Sequence, residues 1–174
     1  KKKDRIDLLK DLKRITERRF EDLAQAMREE MGAPISMARS AQADAALGHL
    51  ESFIGALAEL KERTVLDSGD VLLKEPVGIC GLITPWNWPV NQIALKVIPA
   101  LATGCTCILK PSEYTPLSAM VYTEIIEEAG YPGGVFNLVN GVGDTVGRVM
   151  SKHPEIDMMS FTGSTRAGIM VTKD

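Results

Sequence analysis

Ile79-Cys-Gly-Leu-Ile-Thr-Pro-Trp-Asn-Trp-Pro89 is the stretch whose reading decides the fold. Ile79 to Thr84 is uncharged and rich in β-branched side chains, so it reads as a short buried strand, and Pro85 forbids further ladder pairing. Pro89 starts a helix, because its fixed φ suits the first turn and its missing N–H would be unpaired there anyway. Asn87 is thus held in a tight connection at the carboxyl end of a strand, where open α/β sheets place their chemistry. Its side-chain NH2 is a neutral donor suited to a developing oxyanion, a role worth about 3–4 kcal/mol of transition-state stabilisation. A turn amide that only bridges backbone, between two core indoles, accounts for the same residues.

Beyond this stretch, strand and helix alternate. The pattern predicts strands at Ile79–Thr84, Cys105–Lys110, Val135–Val139 and Ile156–Phe161. Helices fall between them at Pro89–Thr103, Pro116–Ala129 and Asp144–Lys152, and another opens near Ser164. Gly104, Gly130 and Pro154 supply the stops. This spacing predicts an α/β, Rossmann-like parallel sheet with flanking helices and right-handed crossovers.

Upstream, Leu8, Leu12, Ile15, Phe20, Leu23, Met27 and Met31 form one helical stripe over residues 4–31, with Arg18, Arg19, Glu29 and Glu30 on the wet side. A second, Ala-rich helix runs from about Ile35 to Lys61, anchored by Leu47, Leu50, Ile54 and Leu57. Thr64 to Glu75 differs: Asp67-Ser68-Gly69-Asp70 is a turn cluster between two short apolar runs, an exposed hairpin or arm able to cover a neighbouring subunit's strand edge. The expected division is 1–62 (helices packing on a larger body), 63–76 (an arm or hairpin) and 77–174 (the parallel-sheet domain).

With 174 residues and 45% hydrophobic content, the chain suits one domain with an appendage. A net charge of −3 with bases spread among acids argues against a nucleic-acid surface. No apolar run approaches the ~20 residues that span a bilayer. The three cysteines, Cys80, Cys105 and Cys107, lie in strand-like runs and read as reduced core thiols of a cytoplasmic protein. A first residue other than methionine, and an end inside a helix, read as a piece of something longer.

Three features beyond strand ends are candidates for a nucleotide. Gly141-Val142-Gly143-Asp144-Thr145-Val146-Gly147 is one residue longer than the dinucleotide fingerprint, and a packing turn explains it at least as well. Phe161-Thr162-Gly163-Ser164-Thr165 leaves a strand and enters a helix, so free N–H groups and the Ser164 and Thr165 hydroxyls can meet a pyrophosphate; plain N-capping is the alternative. Ile169-Met170 after Gly168 excludes the usual P-loop. In Lys110-Pro111-Ser112-Glu113, Lys110 can donate to ribose oxygens and Glu113 accept from ribose hydroxyls, and a carboxylate there disfavours a 2′-phosphate; a solvated Lys–Glu pair is the alternative. Polar groups beyond three successive strand ends point together to a dinucleotide site.

Together with Glu75-Pro76-Val77-Gly78, Pro85-Trp86-Asn87-Trp88-Pro89, Lys96-Val-Ile-Pro99-Ala-Leu101 and Gly133-Gly134-Val135-Phe136-Asn137, the lysine and Phe161–Thr165 motifs resemble, in order and spacing, the aldehyde dehydrogenase superfamily over nearly the whole chain. The resemblance implies oxidation of an aldehyde to a carboxylic acid with NAD, less readily NADP, through a cysteine thiohemiacetal and thioester, in a homodimer or homotetramer. It assigns Asn87 as the oxyanion amide and Lys96 to a proton relay, although a helix lysine at a sheet edge explains Lys96 as well. Lys110 and Glu113, with Ser112 between them, become the ribose site. Ser164 and the Gly163 backbone, beside Phe161 and Thr162, become the pyrophosphate contact. Ile83, Thr84, Pro85 and Trp86 line the cofactor cleft, Gly143 and Gly147 approach the adenosine, and no metal is implied. The resemblance makes 77–174 an incomplete NAD-binding domain, with 1–62 packing on it and 63–76 as the oligomerisation arm, and puts the family's nucleophilic cysteine and general-base glutamate beyond residue 174. Arg166 stands where many relatives carry glutamate. A coenzyme A-acylating relative and a non-catalytic nucleotide-binding or assembly module are the competing readings.

Overall fold

The structure is a computed structural model and describes residues 1–174. Its centre is a four-stranded parallel sheet of β3 (Ile79–Ile83), β4 (Thr106–Lys110), β5 (Phe136–Leu138) and β6 (Met158–Phe161), in spatial order β5-β4-β3-β6. The chain steps outward twice from β3 and then returns to its other side, so the order reverses between β3 and β6. Such a reversal opens a crevice at the carboxyl ends of the two strands, because their following segments leave to opposite faces. Register fixes the level: Ile83 pairs with Lys110 on one side and Phe161 on the other, so three strand tips end together.

The first crossover helix, α5 (Pro89–Thr103), starts with Pro89 in its first turn and ends at Gly104, whose φ of +89° costs little only for glycine. It buries Val90, Ile93, Val97, Ile98 and Leu101 against the sheet and the N-terminal helices. The second, α6 (Pro116–Glu128), adds Ala119, Tyr122, Ile125 and Ile126 to the same core. Each such aliphatic side chain contributes roughly 1.5–3 kcal/mol when fully buried. The third connection begins as a π-helical turn at Gly143–Gly147 before α7 (Arg148–Lys152), where a continuous helix from Asp144 was expected. Gly141, at φ +156°, lets that turn close onto Val146. The last helix, α8 (Thr165–Lys173), follows β6.

Two expectations for the N-terminal region change. The single 4–31 helix is two, α1 (Lys2–Arg18) and α2 (Phe20–Met31), broken at Arg19. Arg19 sits at the joint, and its guanidinium pairs with Asp22, Glu124 and Glu128, so the bend docks both helices on α6. Leu9, not Leu8, joins Leu12 and Ile15 in the core, because the buried stripe of α1 runs 9, 12, 15, 16. The second helical stretch, α3 (Ile35–Met37), a π-helical turn (Ala38–Ala43) and α4 (Asp44–Glu59), buries Ala46, Leu50 and Leu57 and leaves Leu47 and Ile54 half-buried. Alanine at the α4–α5 seam lets the backbones approach, which places the larger side chains at its margins.

β1 (Arg63–Val65) and β2 (Val71–Leu73) form the expected antiparallel hairpin, with Val65, Val71, Leu72 and Leu73 all exposed. At the amino ends of the parallel strands, the Asp157 carboxylate accepts a hydrogen bond from the Ile79 N–H at 2.8 Å. Gly78 adjoins it at φ +120°, where a Cβ would collide with that carboxylate. Cys80, Cys105 and Cys107 are free and buried. No helix is long and apolar enough to cross a membrane, and no group of side chains is arranged to hold a metal ion.

Candidate functional site at the carboxyl ends of the sheet

Side chains alternate across a strand, so Ile83 and Phe161 share one face of the sheet while Leu82 and Ser160 share the other. On the first face, Ile83, Phe161, Gly143 and Gly147 line an open cleft between the π-helical turn and α8. Gly147 comes near Ile83 with room for ordinary contact and nothing more, since a Cβ there would lie 3.7 Å from the Ile83 side chain. A side chain on Gly163 would strike the Phe161 ring, so glycine keeps that aromatic wall in place. The walls are mainly apolar, as a flat heteroaromatic ring requires. Asp144, Arg148, Ser151, Ala167, Met170, Val171 and Asp174 complete the lining. Sequence reasoning missed these, although Ala167, Met170 and Val171 stand at the 3-4 spacing of one α8 face.

Ser164 caps α8: its Oγ accepts from the Ala167 N–H at 3.2 Å. The capping alternative is therefore realised, and the hydroxyl keeps its own hydrogen to donate. The first-turn N–H groups of α8 have no intrahelical carbonyl to receive them. Gly163, Ser164 and Thr165 are exposed, Phe161 and Thr162 half-buried, and the Thr162 N–H donates to the Ile83 carbonyl, holding this turn beside β3.

At the neighbouring tip, Lys110 is only 3% exposed, and its Nζ donates to Glu113 Oε2 at 3.2 Å. The Glu113 carboxyl is held below its ordinary range, first by its own backbone N–H and then by the Lys110 ammonium. Ser112 is buried, and its Oγ accepts from the Tyr114 N–H. The Thr84 N–H donates to the Lys110 carbonyl at 3.2 Å, joining the two loops, while the Thr84 hydroxyl is buried without a partner. Beyond it, Pro85 is half-buried, and Trp86 and Asn87 are exposed. Asn87 is exposed at the carboxyl end of β3, at the turn that enters α5.

Of the candidates, Ile83, Gly143, Gly147 and Phe161 line that cleft; Thr84, Pro85, Lys110, Ser112, Glu113 and the Thr162–Ser164 turn stand at the strand tips outside its lining. Trp86 lines a separate groove with Glu30, Met31, Tyr114 and Thr115. Lys96 lies on the opposite face of the sheet, in a groove with Leu82, Met158 and Ser160. Its Nζ donates to Ser160 Oγ at 2.8 Å, and burial pushes its pKa down.

Glu30, expected on the wet side of its helix, is instead half-buried against α6. Its carboxylate accepts from the Leu117 N–H at 2.6 Å, the Ser118 N–H at 3.2 Å and the Ser118 hydroxyl. Thr115, the residue before α6, makes no capping bond of its own, and its hydroxyl is buried and unpartnered. No local motif signals a cap supplied from 88 residues away.

Comparison with known proteins agrees with this architecture. The family model described as the aldehyde dehydrogenase family matches residues 1–174. The chain is 51% identical over 172 residues to 3-succinoylsemialdehyde-pyridine dehydrogenase of a Pseudomonas species, covering 98% of this chain and 36% of that protein. An aldehyde dehydrogenase structure from Bartonella henselae superposes with a TM-score of 0.97 at 48% identity, covering 99% of this chain and 37% of that one. A mutant of aldehyde dehydrogenase C from Pseudomonas syringae, in complex with NAD+ and octanal, superposes with a TM-score of 0.96 at 47% identity, covering 99% and 35%. The chain thus spans about a third of the length of the relatives it matches. A family match running from the first residue to the last, with relatives about half identical over nearly the whole chain, makes this chain a member of the aldehyde dehydrogenase family.

Proposed function

We propose that the protein to which this chain belongs oxidises an aldehyde to a carboxylic acid with NAD+ through a cysteine thiohemiacetal and thioester. The observation that carries this reading is the cleft at the sheet's reversal, where Ile83, Gly143, Gly147 and Phe161 meet. Glycine-walled and apolar, it fits an adenine ring; Lys110 and Glu113, with Ser112 ordering their loop, fit the ribose. The Gly163–Ser164 turn, with the Phe161–Thr162 segment that carries it, fits the pyrophosphate. Thr84 and Pro85 lead from Ile83 towards the reactive end, with Trp86 in the neighbouring groove beside Tyr114. Bound there, NAD+ supplies the hydride acceptor.

Asn87 acts on the aldehyde oxygen, donating from its exposed side-chain amide and so stabilising charge as it develops. Lys96, with its pKa lowered by burial and its ammonium on Ser160, is suited to passing a proton on the far side of the sheet. The nucleophile and general base are supplied from outside this chain. Burial pushes the Cys80 and Cys107 thiols up to about 12, and a thiol of that kind is inert at neutral pH. Burial also acts to raise Cys105, but hydrogen bonds to Thr103 and to the Gly78 and Val77 backbone outweigh it and lower its pKa; that thiol is buried at the amino end of β4 and does not line the cleft.

Glu113 favours NAD+ over NADP+, because a ribose-binding carboxylate repels a 2′-phosphate. The apolar, exposed hairpin supports assembly into a homodimer or homotetramer, and the free buried thiols support a reducing, cytoplasmic setting. Titration of NAD+ into the intact protein, followed by aldehyde-dependent NADH formation, tests the reading. Absence of NAD+ binding refutes it in favour of an assembly module. NADH formed from an aldehyde by the 174-residue chain alone would refute the external nucleophile.

A further inference from the structure

We propose that Glu30 is a positioning residue for the ribose end of the cofactor: it fixes the 111–115 loop from α2 by supplying the N-cap that α6 lacks. The proposal rests on the reading of Lys110 and Glu113 as the ribose site.

The first N–H groups of a helix need acceptors, and the residue before the helix ordinarily provides one. Thr115 is a residue type suited to that task, but its hydroxyl is turned away, buried and unpartnered. The Glu30 carboxylate takes its place, receiving the Leu117 and Ser118 N–H groups together with the Ser118 hydroxyl. Its negative charge also faces the positive end of the α6 dipole.

This anchor sits next to the ribose candidates. Only Pro111 to Thr115 separate the end of β4 from Pro116, and Glu113 lies in the middle of that span. The loop's own bonds are short-range: the Thr115 N–H to the Ser112 carbonyl, the Tyr114 N–H to Ser112 Oγ, and Lys110 to Glu113. β4 holds one end of the loop inside the sheet. At the other end, the cap bonds come from outside α6 and bring the last turn of α2 into contact with it. Without Glu30, the first turn of α6 loses its acceptors and Glu113 loses one fixed end of its loop.

The readout is the preference for NAD+ over 2′-deoxy-NAD+, a ratio of dissociation constants that does not depend on the folded fraction. In the full-length wild-type protein, NAD+ is expected to bind about tenfold more tightly than the deoxy cofactor, the size of one hydrogen bond to a charged group. Glu113→Ala should bring the ratio near one. Glu30→Ala should lower it at least threefold while Glu113 is intact, and Glu30→Gln, which retains an acceptor oxygen, should restore part of it. A ratio unchanged from wild type in both Glu30 variants overturns the positioning role. A wild-type ratio near one, or one that Glu113→Ala does not alter, overturns the ribose reading beneath it. Should Glu30→Ala fail to fold, Glu30→Gln decides the question: a ratio between those of wild type and Glu113→Ala supports the role, and a wild-type ratio refutes it.

Discussion

The two rims of the parallel sheet are built from the same strands and do opposite things. At the amino rim the chain satisfies itself. Asp157 binds the Ile79 N–H, the Arg5 guanidinium binds the Ala102 carbonyl at 2.8 Å, and the three thiols are shut inside. At the carboxyl rim, groups are left over: Asn87 and Glu113 are exposed, and the first turn of α8 faces outward. The amino rim therefore contributes stability, and the carboxyl rim is free to bind. Parallel topology enforces the division, because every crossover returns the chain to the amino side and leaves each βα turn at the carboxyl side.

Mutations at the two rims should separate accordingly. The largest effect is expected from Asn87→Ala in the full-length protein. It should lower kcat by about 10²–10³-fold with little change in the unfolding midpoint, because an oxyanion donor acts mainly in the transition state. A normal kcat would remove Asn87 from the chemistry. At the amino rim, Gly78→Ala should cost about 1–3 kcal/mol in urea unfolding, from left-handed backbone strain and displacement of the Asp157 carboxylate. The NAD+ affinity of the folded protein should be unaffected. A shift in affinity as large as that in stability would erase the distinction between the rims.

Smaller and more selective, Glu113→Ala should move the NAD+/NADP+ affinity ratio about tenfold towards NADP+, read by titration of both cofactors. An unchanged ratio would release Glu113 from its assigned role. The weakest effect sharpens the amino rim through pH. Cys80 and Cys107 have folded pKa values pushed up to about 12, from an ordinary value of 9.0. Above pH 9 the unfolded chain gives up thiol protons that the folded chain retains, so stability falls as pH rises from 9 towards 12. Replacing both cysteines with alanine should flatten that decline, measured by unfolding at pH 8 and pH 10.

The sheet was legible because its signals are local. The glycine and proline stops and the apolar runs at Ile79, Cys105 and Ile156 each lie within a few residues of the element they delimit. The helix Pro89–Thr103 was read with both ends correct, since Pro89 and Gly104 mark them in the sequence. The site was legible only as separate pieces. Lys110, Ser164 and Asn87 stand out as types beyond strand ends, yet nothing local says that Lys96 faces the other side of the sheet or that Trp86 lines a different groove. Those facts depend on register and on which face each crossover takes.

The misread residues have the same origin. Glu30 looks solvated from helical spacing because the spacing describes one helix, whereas its partners lie 87 and 88 positions away on another. The break at Arg19 is likewise invisible in a stripe that continues through it, since the acids that favour the bend include Glu124 and Glu128.

By itself the sequence determined the order of the parallel strands and of the helices between them, the glycines and prolines that mark their ends and the chemical types at their tips, because backbone stereochemistry and hydrophobic spacing act over a handful of residues. Only the tertiary structure decided which tips share a cleft, that Asn87 is exposed, and that a glutamate of α2 completes α6. These outcomes are set by packing between segments distant in the chain, where burial turns an unremarkable side chain into the acceptor that a helix end requires.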